Sequence, residues 1–343
     1  MPTAELPVFK HVELNPAWLD RLREDIIDPD LLIVDPHHHL WDRSGGYLLD
    51  ELLADTGSGH NITATVYVQC GYAYRPDGPE AFKPVGETEF VASVAEEAAR
   101  RGAKTRVCAG IVGYADLTLG DEVDAVLQAH IDAGGGRFRS VRHIVARHAS
   151  FQASLLTPPP LYLMNDATFR RGVSRLGAFN LCFDAWLYHT QIRELADLAR
   201  AFPELPIVMN HLGGPLGVGP YQGRRDEVFR EWRDAIAELA ECPNAYVKLG
   251  GLAMAIAGFE FHREPLPPSS GELANAWRPY MDACIEHFGA ERCMFETNSP
   301  VDKGMCGYPV IWNAYKRIAS GASASEKAAL FHDTATRVYK LGH

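Results

Sequence analysis

Eight apolar runs recur along the chain, each followed by a helical pattern, and that count constrains the fold more than any other feature. They occupy residues 31–34, 63–70, 106–113, 137–143, 179–187, 205–211, 244–251 and 292–298. Successive runs lie roughly 30 to 50 residues apart, the spacing of strand–helix units that wind one parallel sheet. Eight such units predict an α/β chain folded as a closed (β/α)8 TIM barrel with long βα loop insertions, since an open doubly wound sheet lacks the eightfold count. At 343 residues two domains are allowed by length, but such barrels exceed about 250 residues as one domain and no low-complexity linker divides the chain. A single barrel domain over 1–343 is expected, with residues 1–30 as a polar lead-in holding a short helix over 16–28. Residues 41–59 read as an irregular loop over the barrel mouth.

Polar side chains gather at the C-terminal ends of the runs: His37 and His39, Cys70, Arg142 and His143, Asp184 and His189, His211, Lys248, Glu296 and Asn298. Barrel active sites form on that face. The first run is the most informative, because Leu31, Leu32, Ile33 and Val34 lead into Asp35, His37, His38 and His39. Alternation along extended backbone sends His37 and His39 to one side and His38 to the other. Two imidazoles can then share one ion or one substrate. An affinity tag would be longer and terminal.

Composition is that of a globular protein, 47% hydrophobic and 22% charged. A net charge of −11 argues against a nucleic-acid surface. No stretch approaches the ~20 apolar residues of a membrane span and no leader pattern opens the chain, so a cytoplasmic protein acting on a small molecule is expected. The seven cysteines are scattered and without CxxC pairing, which indicates neither a disulfide framework nor a cysteine zinc site. Cys70 and Cys306 stand near strand ends, close enough to line a pocket.

The motifs Asp35-Pro36-His37-His38-His39-Leu40-Trp41, Arg142-His143, His189, Asn210-His211-Leu212-Gly213-Gly214-Pro215, Lys248-Leu249-Gly250-Gly251-Leu252 and Phe295-Glu296-Thr297-Asn298-Ser299-Pro300 occur in this order. The sequence resembles the amidohydrolase superfamily, in its amidohydrolase 2 branch of metal-dependent hydrolases and lactonases, over nearly its whole length. That resemblance implies that His37 and His39 bind a divalent metal such as zinc or manganese, or in metal-free lactonases orient the substrate carbonyl through hydrogen bonds to an oxyanion. His211, before a Gly-Gly-Pro turn, is read as a third ligand or an acid/base group. A histidine satisfied by a core carbonyl is the alternative. His189 is either a pocket or a loop residue.

The eighth run departs from the family. Relatives carry an aspartate where this chain has Asn298, and an amide is no general base. Glu296 and Asp302 are the nearest carboxylates, and Asp302 is the expected proton acceptor if its loop swings into the site. Arg142 is placed to bind a substrate carboxylate or ketone oxygen, or else to form a salt bridge with Asp184. Lys248 either reaches the site or pairs with Glu296, and Asp184 anchors a ligand histidine or points into the barrel. Trp41, Tyr72, Tyr74, Trp186 and Tyr188 are candidate walls for a ring-bearing substrate. The expected activity is hydrolysis of a lactone or ester of a small cyclic or carboxylated substrate. A non-oxidative decarboxylase and a barrel that only binds a small ligand are the alternatives. Long insertions after the second, fourth and seventh runs suggest lids or the contacts of a homo-oligomer.

Overall fold

The computed structural model describes residues 7–43, 45–151 and 158–342. Eight parallel strands pair in sequence order. They are β1 (Leu32–His38), β2 (Asn61–Val68), β3 (Arg106–Gly113), β4 (Phe138–Ile144), β5 (Cys182–Trp186), β6 (Ile207–Met209), β7 (Ala245–Leu249) and β8 (Cys293–Phe295). Beyond β8 the chain returns to β1: His38 forms a parallel bridge with Ser299, and the His39 N–H donates to the Ser299 carbonyl at 2.7 Å. The result is a nearly closed (β/α)8 barrel, as the eightfold pattern predicts.

Helices alternate with the strands: α1 (Pro16–Leu19), α2 (Leu49–Thr56), α3 (Val85–Arg100), α4 (Asp124–Ala133), α5 (Ala167–Ala178), α6 (Ile192–Ala201), α7 (Arg225–Ala240), α8 (Ser270–Phe288), α9 (Tyr308–Ile318), α10 (Ala324–Ala328) and α11 (Thr334–Val338). Their starts are written locally. Asp166 accepts hydrogen bonds from the Thr168 and Phe169 N–H groups ahead of α5, and Ser269 with Glu272 forms a reciprocal cap at α8. α6 buries Ile192, Leu195, Ala196 and Ala199, a stripe at helical spacing that lies on the outer face of the sheet. No helix among the described residues is long and apolar enough to cross a membrane.

Small and branched residues fill the barrel interior: Val34, Ala64, Val66, Val68, Val112, Cys182, Val208 and Met294. Eight strands leave an interior just wide enough for such side chains. The chain after α10 packs on this layer through Ala335, Val338, Tyr339 and Leu341.

Two local expectations change. The helix expected over 16–28 shortens to Pro16–Leu19, and tertiary bonds hold the chain at Ile27 and Asp28 in a turn, with Asp28 at φ +46°. The Ile27 N–H donates to Asn313 Oδ1 at 2.9 Å, and Lys316 Nζ donates to the Ile27 and Asp28 carbonyls at 2.8 and 2.7 Å. Within residues 41–59, read as loop, α2 forms; it buries Leu49, Leu52 and Thr56, and Glu51 accepts from the Leu48 N–H at 2.9 Å.

Candidate active site

Glu296, just past β8, is the hub of the polar cluster. It is fully buried. Its Oε1 accepts from the His211 ring Nδ1 at 2.7 Å and from the His211 backbone N–H at 3.1 Å. Its Oε2 lies 2.7 Å from His37 Nδ1, yet it lacks an aligned hydrogen bond and keeps lone-pair capacity. Burial pushes the Glu296 carboxyl up to about 8, with the Lys248 ammonium pulling the other way.

Around this carboxyl stand three imidazoles. The His37 ring centroid is 4.9 Å from that of His39 and 4.4 Å from that of His211. Burial holds all three well below the usual histidine range, so each is neutral and carries one nitrogen lone pair. His38 points the other way, with Nε2 2.9 Å from Thr65 Oγ1, as strand alternation requires. His211 is held with φ +55°, and the neighbouring backbone makes room for it. A Cβ on Gly251 (φ +75°) would lie 2.5 Å from the His211 Cβ, so only glycine suits that position.

His39 differs from expectation. Its Nδ1 lies 2.7 Å from the Val68 carbonyl, which accepts only. The proton therefore sits on Nδ1, and Nε2 offers a lone pair to the cavity. A neutral His39 cannot donate to an oxyanion. Arg142 stands close by, its Nη1 3.5 Å from His37 Nε2 and its Nη2 donating to the Gln69 carbonyl. Arg142 is buried, its Nε has no partner, and among the described residues no carboxylate pairs with it. Asp184, the alternative partner, is fully engaged elsewhere. It takes Lys248 Nζ at 3.1 Å, Ser140 Oγ at 2.7 Å, and Asn210 Nδ2 and Tyr339 OH at 2.9 Å each. Lys248 thus pairs with Asp184 rather than Glu296, and its Nζ also lies 3.4 Å from His37 Nδ1.

A cavity of 220 Å³ opens above the cluster, lined among others by His39, Trp41, Cys70, Arg142, His211 and Asn298. Trp41 stacks on His39 with ring centroids 5.6 Å apart. Residues His11 to Leu14 of the lead-in form part of the wall, with Arg43 beside them. Nothing in the polar lead-in signals that role, which comes from long-range packing. Asp302 does not reach this cavity. Its carboxylate is buried behind Asn298, whose Nδ2 donates to Asp302 Oδ1 at 2.8 Å, and it accepts the Ala253 N–H at 3.3 Å. Burial raises its pKa well above the usual carboxylate value. The expected swing into the site is not what the structure shows: Asp302 takes the Asn298 Nδ2–H and so orients that amide, and Asn298 rather than Asp302 lines the cavity. Cys306 is buried, with Sγ directed to the Asp302 carbonyl.

Three further expectations separate from the cluster. His143 follows Arg142 on β4 and so faces outward, packing on Phe169 of α5 and on Tyr114. His189 lines neither this cavity nor its larger neighbour; its Nδ1 accepts the Leu216 N–H at 3.4 Å and its ring packs on Tyr221. Tyr188 packs with Trp186 and Phe151, on the side of the larger cavity.

Residues 34–341 match the amidohydrolase family. The chain belongs to that family. Similar proteins include y4mH, an uncharacterised protein of Sinorhizobium fredii, 32% identical over 335 residues that cover 91% of this chain and 99% of the relative. An L-fucono-1,5-lactonase of Burkholderia multivorans is 25% identical over 324 residues, 90% of this chain and 96% of that protein. The crystal structure of a zinc-bound amidohydrolase from Burkholderia multivorans superposes with a TM-score of 0.71 at 24% identity, covering 91% of this chain and all of that one. This last likeness is one of fold.

Among the described residues of this amidohydrolase, His37, His211 and Glu296 bring their donor atoms within 4.8 Å of one another. Glu296 thus joins His37 and His211 in the candidate metal group, and His39, whose Nδ1 is committed to the Val68 carbonyl, keeps its Nε2 lone pair for the cavity side. Two neutral imidazoles and a carboxylate with an unaligned oxygen suit a divalent ion in donor type. The cations Lys248 and Arg142, 3.4 and 3.5 Å from the two nitrogens of His37, work against its charge.

Proposed function

We propose that this amidohydrolase opens a lactone of a small, acceptor-rich substrate by attack of water at the C-terminal face of the barrel. The observation that carries the reading is the His211–Glu296 pair at the wall of a cavity that also presents Arg142, a buried guanidinium that no carboxylate pairs with among the described residues. A carbonyl oxygen placed against Arg142 finds N–H donors that strengthen as negative charge develops. His211 holds its Nδ1 proton on Glu296, so its Nε2 lone pair takes the proton of the attacking water. The Glu296 carboxylate stabilises the imidazolium that results, and His211 returns the proton to the ring oxygen as the carbon–oxygen bond breaks. Asn298 Oδ1, fixed by Asp302, accepts a hydrogen bond from the same water. With a divalent ion held by His37, His211 and Glu296 instead, that ion would supply Lewis acidity toward the carbonyl, and His211, its one lone pair given to the ion, would no longer be the base. Similarity to an L-fucono-1,5-lactonase over 90% of the chain supports the choice of a lactone.

The test is acid release from a panel of sugar and aromatic lactones, beginning with L-fucono-1,5-lactone, alongside elemental analysis before and after chelation. Acid release that His211→Ala abolishes is expected, with about one zinc or manganese ion per chain if the donor group is loaded. Activity that survives chelation places the oxyanion on Arg142 alone. Carbon dioxide release from hydroxybenzoates, with no acid from any lactone, would replace the hydrolase by a decarboxylase. Thermal stabilisation by a ligand without any turnover would leave a binding protein.

A further inference from the structure

Glu87, on the first turn of α3, is a buried carboxyl outside the histidine cluster. Its Oε1 accepts three hydrogen bonds, from the Tyr67 hydroxyl at 2.7 Å and from the backbone N–H groups of Cys70 and Tyr72 at 2.8 and 3.1 Å. Its Oε2 is buried with no partner. A carboxyl taken out of water and satisfied at one oxygen costs stability, and burial raises its pKa above the usual carboxylate value. An apolar side chain would fill the space between α3 and β2 without that cost. The use of the carboxyl therefore lies in the segment it holds.

That segment leaves the end of β2 at Gln69 and turns at Gly71, whose φ of +73° suits glycine. In a trans peptide unit the C=O of one residue and the N–H of the next share a plane and point opposite ways. The Gln69–Cys70 unit is thereby pinned at both ends: the Cys70 N–H donates to Glu87 Oε1, and the Gln69 carbonyl accepts from Arg142 Nη2. One residue earlier the sheet does the same work, since the Gln69 N–H donates to the Val112 carbonyl at 2.8 Å while the Val68 carbonyl faces His39 Nδ1. Where the ladder to β3 stops, Glu87 supplies the acceptor. Carboxyl, peptide and guanidinium form one chain of hydrogen bonds, each polarising the next. Arg142, which no carboxylate pairs with directly among the described residues, is joined to one through this peptide. We propose that Glu87 is a positioning residue for the reaction, aiming the Arg142 guanidinium at the substrate carbonyl through the Gln69–Cys70 peptide. This rests on the reading of Arg142 as the group that meets that carbonyl. Glu87 does not line the histidine cavity, so its effect on turnover passes through Arg142.

The experiment is a double-mutant cycle on the lactone of the panel that is turned over fastest. Glu87→Met keeps the length of the side chain and removes the acceptor, and its kcat is expected to fall about 10- to 100-fold with KM within about threefold of the parent. In the Arg142→Met background the same substitution is expected to change kcat by less than about twofold, because the group it positions is gone. Equal factors in the two backgrounds, as a loss of packing alone would give, overturn the proposal. So does a Glu87→Met variant as active as the parent while Arg142→Met is impaired. Glu87→Asp, which withdraws the carboxyl by one methylene, takes its place where Glu87→Met does not fold. Should no lactone be turned over, or Arg142→Met match the parent, the reading of the histidine cavity fails, and the positioning is read from crystal structures of the parent and the Glu87 variant. A Gln69–Cys70 peptide turned away from Arg142 in the variant supports it, and an unchanged bond from Arg142 to the Gln69 carbonyl ends it.

Discussion

Glu296 decides the chemistry at the scale of single residues, because one buried carboxyl sets the orientation of two imidazoles. Glu296→Gln keeps the shape and removes the charge that stabilises an imidazolium on His211. Its kcat is expected to fall by about 10²- to 10⁴-fold. In the parent protein kcat should rise with pH toward about 8, where Glu296 ionises, and the variant should lack that limb. Steady-state rates across pH check both. Arg142→Lys should lose about as much of kcat/KM as Arg142→Met, since one ammonium cannot bond the Gln69 carbonyl and also present a planar fork to the substrate. A third residue tests stability. Burial depresses His38 to about 3, so the folded state stays neutral while the unfolded chain takes up a proton below about 6.5. That penalty is absent above pH 6.5 and grows as pH falls toward 3. The stability advantage of the parent over His38→Asn is expected to shrink by roughly 3 kcal/mol between pH 7 and pH 4, measured by denaturant unfolding.

Among the elements, the lead-in does the least expected work. Trp18 Nε1 and Arg21 Nη1 donate to the Glu264 and Pro265 carbonyls at 3.1 and 2.7 Å, anchoring this segment to the insertion before α8. From there the chain at His11 to Leu14 borders the small cavity, where Val12 rests against Gly304 after β8. A Cβ on Gly304 would lie 2.4 Å from the Val12 carbonyl oxygen. Gly304→Ala should therefore lift the segment from the mouth and raise KM severalfold, with a smaller effect on the thermal midpoint. Faster proteolytic clipping before residue 15 would report the same displacement.

Over the whole molecule, the two ends of the barrel are coupled through its interior. α11 and the residues after it pack on the inner layer, and Tyr339 reaches Asp184, which in turn holds Lys248 beside His37. Tyr339→Phe leaves Asp184 three partners and is expected to lower unfolding free energy by about 1 to 2 kcal/mol, read from denaturant titration. Two buried and fully paired charges make the barrel centre intolerant of losing either one. Lys248→Met should cost about 3 to 5 kcal/mol, since it strands a carboxylate in the core.

Sequence by itself determined the barrel and the rim. Eight runs at regular spacing admit few other folds, and strand periodicity sends His37 and His39 to the site and His38 away from it. Alternation also implies that Arg142 and His143 face opposite ways, although both stand at the C-terminal end of their run. What only the tertiary structure decided are the partnerships among groups that chain distance does not order. Asp184 took Lys248, Glu296 took His37 and His211, Val68 fixed the tautomer of His39, and Asn298 screened Asp302 from the cavity. The physical reason is burial: a charge removed from water must find its nearest complement in space, and which complement is nearest depends on the curvature of the barrel and the packing of its loops.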